Sequence, residues 1–199
     1  MGFQICFYAV VAVLPKAGQD GRDYAPQGAY IFHKQKEIVM ALRTILVQDD
    51  PMLRKKCRPV TVFNDRIKQL VDDLVETLKA SGGVGLAAPQ IGILRRVAVI
   101  MDINKKPEEV IVLINPEVID KKGSERVPEG CLSFPNVWGY VTRPTWAKIR
   151  AQDVNGNWFE REGEDVVAQC FCHETEHLDG HVFTDRIEEF IDPEDIKQG

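Results

Sequence analysis

Asp165-Val166-Val167-Ala168-Gln169-Cys170-Phe171-Cys172-His173-Glu174-Thr175-Glu176-His177-Leu178-Asp179-Gly180 is the stretch on which the fold turns. Acid at its start suits the positive end of a helix and Gly180 supplies a stop, so a helix is predicted from about Asp165 to Leu178. Val166, Val167, Cys170 and Phe171 make its first turns apolar, which sets the segment against a core. His173-Glu174-Thr175-Glu176-His177 then has the form His-Glu-x-x-His. Residues four apart on a helix differ by about 40° of rotation and one turn of rise, so both imidazoles can reach one ion. Glu174 falls near the same arc. It can contact a water held by that ion without being a ligand, as a general base must. The plainer reading is a surface helix that happens to carry two histidines, and Glu176 reads as a solvated or supporting residue.

Two histidines leave a hydrolytic metal short of the usual three protein ligands plus water. Glu129-Gly130-Cys131-Leu132-Ser133-Phe134-Pro135 offers Cys131, a thiolate donor expected in a loop between strand-like stretches. Cys57, Cys170 and Cys172 read instead as small buried hydrophobes.

Outward from these segments the text is that of an α+β domain. Asn64-Asp65 is a helix N-cap signal, and Ile67, Leu70, Val71, Leu74, Val75 and Leu78 follow at amphipathic spacing until Gly82-Gly83. Val97 to Ile100 and Val110 to Ile114 are β-branched runs that read as strands. Trp146 to Val154, Asn155-Gly156 and Trp158-Phe159 read as a hairpin closed by a type I′ turn. The expected fold is therefore antiparallel sheets around a central metal-binding helix, with one earlier amphipathic helix.

The chain has 199 residues, 44% of them hydrophobic and 28% charged, the composition of an ordinary folded domain. A net charge of -5 without a conspicuous basic block argues against wrapping DNA or another nucleic acid on a broad basic face. Five unevenly spaced cysteines fit a reducing compartment, and a cytoplasmic location is expected. The longest apolar run, Phe3 to Leu14, falls short of the roughly 20 residues that span a bilayer, so no membrane partner is expected. Residues 1–39 carry punctuating Gly and Pro with little periodicity and read as a poorly ordered extension, of the kind a mis-assigned start would produce. The patterned domain is placed at 40–199.

Three segments stand in order: Gly83-Val84-Gly85-Leu86-Ala87-Ala88-Pro89-Gln90, Glu129-Gly130-Cys131-Leu132-Ser133, and His173-Glu174-Thr175-Glu176-His177-Leu178-Asp179-Gly180. Together they resemble the three signature motifs of the peptide deformylase family, over about Met40 to Glu188. The resemblance implies a hydrolase that removes the formyl group from formyl-methionine at the start of nascent proteins and releases formate. It implies Cys131, His173 and His177 as ligands of one divalent ion, Fe(II) first and Zn(II) second. Glu174 becomes the general base for the metal-bound water that attacks the formyl carbonyl, and later the proton donor. Gln90, through its side-chain amide, and Leu132, through its backbone N–H, become donors to the oxyanion. Gly83 and Gly85 admit a substrate backbone as an added strand. Leu132 and Phe134 are candidates for an apolar methionine pocket.

The implied partners are N-formylmethionyl nascent peptides and, further off, the ribosome exit region. The family's extended C-terminal helix is barely represented after Asp192, which bears on any docking there. Trp138 stands where many relatives carry a basic residue, and Arg143 where an arginine pairs with the acidic residue here represented by Glu129. Two other readings compete. A His-Glu-x-x-His endopeptidase would need a downstream ligand, and His181, the only later histidine, follows the helix stop. An inactive relative that binds blocked peptides would not need the full catalytic set.

Overall fold

The computed structural model describes residues 42–196, so the expectations for residues 1–39 and for a domain start at Met40 lie outside the described residues. In chain order the elements are helix α1 (Asp65–Ser81), strands β1 (Gly85–Ala87), β2 (Val97–Asp102), β3 (Glu109–Lys122), β4 (Glu125–Cys131), β5 (Phe134–Arg143), β6 (Trp146–Gln152) and β7 (Trp158–Glu164), helix α2 (Asp165–Leu178), strand β8 (Glu189–Ile191) and a short helix α3 (Pro193–Ile196). Two antiparallel sheets result, one of five strands in the order β1-β2-β3-β6-β7 and one of three in the order β4-β5-β8.

α1 forms where the capping signal predicts it. The Asn64 side chain accepts from the backbone N–H groups of Arg66 and Ile67, and Gly82 closes the helix at φ 69°. Its apolar stripe packs on Val97 and Val99 of β2, while Ile100 of the same strand joins Ile111 and Leu113 in a second cluster with Val167, Ala168 and Phe171 of α2. Successive strand residues face opposite ways, so a helix on each side of β2 buries both faces. That double burial explains why the strand reads as a continuous apolar run.

Three local expectations need correction. β3 runs from Glu109 to Lys122, well beyond Ile114, and accommodates Pro116 where its pairing with β6 shifts between Ile114 and Glu117. Cys131 is the last residue of β4 rather than part of a loop, next to a register shift between Gly130 and Cys131. The β6–β7 connection is not a type I′ turn: left-handed backbone falls on Gly156 (φ 88°) and Asn155 does not share it. Asp153 explains the difference. Its carboxylate accepts from the backbone N–H groups of Asn155 and Asn157 at 2.8 and 2.9 Å, and its backbone N–H donates to the Asn157 carbonyl. An aspartate that binds the loop's own N–H groups selects a longer turn than Asn-Gly alone would.

Candidate metal centre

α2 lies against the larger sheet with its histidine-bearing side turned inward, and His173, Glu174 and His177 are all buried. The two imidazole centroids are 4.8 Å apart, as one helical turn requires. β4 delivers Cys131 to the same point, with Sγ 3.3 Å from His177 Nε2. The ligating atoms of Cys131, His173 and His177 all fall within 4.8 Å of one another. A thiolate and two imidazoles converging on one point are a donor set for zinc or ferrous iron.

The surroundings suit those donors. His173 Nδ1 is 2.7 Å from Glu129 Oε1, so a proton on Nδ1 is donated to the carboxylate and Nε2 is left as the free donor atom. Arg143 reaches the same carboxylate with two hydrogen bonds of 2.7 and 2.8 Å. Burial works to raise the Glu129 carboxyl, but the neighbouring His173 and Arg143 overcome it and hold the group well below the usual carboxylate range. Burial drives His177 well below its ordinary value and so favours the neutral, ligating imidazole. Its Nδ1 is buried without a hydrogen-bond partner among the described residues, as is Glu174 Oε2. Burial also lifts the Glu174 carboxyl to about 7, with His173 partly opposing.

Gln90 comes in from the short 3-10 turn after β1. Its Oε1 accepts from the Ala87 N–H at 2.8 Å, which turns Nε2 towards Ser133 Oγ at 3.2 Å and Cys131 Sγ at 3.5 Å. Leu132 follows Cys131 directly, and its side chain packs into the α1 cluster. Gly85 is in β1, an edge strand of the five-stranded sheet. A Cβ there would stand 2.2 Å from Glu174 Oε1, so only glycine leaves room for that carboxyl. Gly83 lies just before β1, against the Leu132 side chain. Phe134 stacks edge-on with Phe183, whose ring is 6.2 Å from that of His173. The ring of Trp138 lies against Gly130, its cross-strand partner. His181 is exposed beyond the helix end and outside the cluster. Cys57, Cys170 and Cys172 are buried, and burial pushes their thiols up, that of Cys57 to about 11.

Some participants escaped the sequence reading. Ser133 is fully buried under Gln90 and Gln169 donates to Glu129 at 3.0 Å, whereas Glu176, read from the sequence as a solvated or supporting residue, takes a supporting place by accepting from Arg143 at 3.0 Å. Ser133 lies inside a quoted motif, a signal that could have been followed. Gln169 lies four residues before His173 and Glu176 three after it, on the same side of α2, so helical spacing is a signal for both.

The polypeptide deformylase family model matches residues 42–191. A peptide deformylase of Agathobacter rectalis is 50% identical over 149 residues, covering 75% of this chain and 92% of that protein. Among solved structures, a peptide deformylase from Legionella pneumophila superposes with a TM-score of 0.71 at 40% identity, over 74% of this chain and 87% of that one. One from Thermotoga maritima gives 0.70 at 38% identity, over 74% and 99%.

Proposed function

The chain belongs to the polypeptide deformylase family, and we infer from that membership and from the site that it removes the N-terminal formyl group of newly made proteins and releases formate. The observation that carries the chemistry is the convergence of Cys131, His173 and His177 beside the buried Glu174 carboxyl.

Cys131, His173 and His177 hold one divalent ion, ferrous iron in the working enzyme and zinc as the alternative. When bound, such an ion acts as a Lewis acid and brings the pKa of water from 15.7 towards about 7. Glu174 takes the proton from the attacking water, a role supported by a carboxyl poised near 7 beside His173. The formyl carbon–nitrogen bond then breaks, Glu174 passes the proton to the departing amine, and formate leaves. Gln90 Nε2 and the Leu132 backbone N–H donate to the oxygen that gains charge. The fixed orientation of the Gln90 amide supports its part, since a donor set in place beforehand needs no reorganisation as charge develops. Gly83 and Gly85 let the peptide backbone lie along the open edge of β1, and Leu132 and Phe134 line the place of the methionine side chain.

The partners are N-formylmethionyl nascent chains, met in the cytoplasm near the ribosome exit and apart from DNA or lipid. Among the described residues no helix is long and apolar enough to cross a membrane.

Formyl-Met-Ala offered to anaerobically prepared ferrous protein tests this reading. Formate should appear at many turnovers per chain. Glu174→Gln should stay folded and metal-loaded while kcat falls by about 10²–10⁴-fold, because an amide cannot accept the proton. No formate from metal-loaded parent overturns the function. Loss of metal from Glu174→Gln overturns the general-base role.

A further inference from the structure

Arg143 touches more than Glu129. Its Nε and Nη2 grip the Glu129 carboxylate, and its Nη1 donates to Glu176 Oε2 at 3.0 Å. Glu176 Oε1 in turn lies 3.1 Å from Arg186 Nη2. Alternating partners therefore run from His173 through Glu129, Arg143 and Glu176 to Arg186. Glu176 lies about 160° around the α2 axis from Glu174. It lines a groove of about 720 Å3, together with Arg186, Arg96 and Asp179, on the other side of the helix. Arg143 itself is 5% exposed.

We propose that Glu176, supported by Arg186, is a positioning residue that sets how tightly the Cys131–His173–His177 centre holds its metal. The inference rests on the reading of those three residues as ligands. A guanidinium stays protonated, so a buried Arg143 must share its charge among whatever carboxylates reach it. With Glu176 in place that charge is divided between two acids, and Glu129 keeps more of its own for the His173 Nδ1 proton. A carboxylate that polarises this N–H makes the opposite ring nitrogen a better donor. Without Glu176, Arg143 Nη1 loses its partner inside the protein and Glu129 alone answers the cation. Both effects weaken His173 as a ligand.

The test is metal affinity, read by titrating zinc alone into the stripped chain against a chromogenic chelator. Glu176→Ala should weaken zinc binding roughly tenfold, the lower end of what supporting partners of a ligating histidine are worth. Glu176→Asp should restore most of it. Arg186→Ala, at an exposed ion pair, should weaken it about twofold to fivefold. KM for a formyl-Met peptide should stay at the parent value in the loaded enzyme, because substrate does not touch Glu176. Parent-level zinc affinity in folded Glu176→Ala overturns the proposal. If that variant does not fold, Glu176→Gln and Arg186→Ala decide, and parent-level affinity in both overturns it. A parent chain that binds no zinc would instead overturn the ligand assignment beneath it.

Discussion

Gly85 shows how little room separates positioning from obstruction at single-residue scale. The Glu174 carboxyl occupies the space a Cβ at position 85 would fill, with Oε1 2.2 Å and Cδ 2.9 Å from it. Because the obstructing atoms are the far end of a side chain, Gly85→Ala can be absorbed by moving the carboxyl. The fold should survive and still bind metal, but Glu174 would be displaced from the position its proposed role as general base requires. A misplacement of about 1 Å can cost on the order of 10²-fold in rate, so kcat in Gly85→Ala should fall by about 10–10²-fold. Parent-level kcat would show that Glu174 has another productive position. A rise in KM alone would locate the glycine's value in substrate approach.

At the scale of elements, polar contacts tie strands that are distant in the chain. Arg161 of β7 donates to Glu109 at the start of β3 at 2.8 and 3.0 Å and to Asp102 at the end of β2 at 2.9 Å. Hydrogen bonds from Arg161 and from Lys105 hold the Glu109 carboxyl near 2, against an ordinary value of 4.5. A carboxyl depressed in the folded state stabilises above its unfolded pKa and loses that contribution as pH falls through the folded one. The melting temperature of Glu109→Gln should therefore lie below the parent's at neutral pH, with the gap closing between about 4.5 and 2. The gap should be small and sensitive to salt, since the site is open to solvent. A difference that does not change with pH would remove the ionised carboxylate as its cause.

For the whole molecule, the residues proposed for the chemistry all lie within residues 42–196: α1 and α2 pack on the two faces of β2, the second sheet brings Cys131, and the turn after β1 brings Gln90. The matched family region, 42–191, has nearly the same limits. Removing residues 1–39 should accordingly leave kcat/KM on formyl-Met-Ala and the melting temperature nearly unchanged. A large fall in either would show that the Phe3 to Leu14 run contributes to the working enzyme.

What the sequence determined by itself is what depends on neighbours along the chain. Asn64 capping α1, the apolar stripe behind it and the pairing of His173 with His177 on one helix are all relations within a few residues, governed by helical pitch and local hydrogen bonding. The link from those histidines to Cys131 was legible only because three motifs resembled a known family; no local rule joins residues 46 apart in the chain. The tertiary structure alone decided the rest. Arg143 stands opposite Glu125 in the β4–β5 register; the resemblance implies its pairing with Glu129, but its reach to Glu176 is selected by neither strand pairing nor motif. Asn155-Gly156 carries a type I′ signal that Asp153 overrides by taking the loop's N–H groups. The Glu174 carboxyl is lifted to about 7 through burial against β1 and the sheet, because removing a carboxylate from water raises its pKa and only the packed molecule removes it.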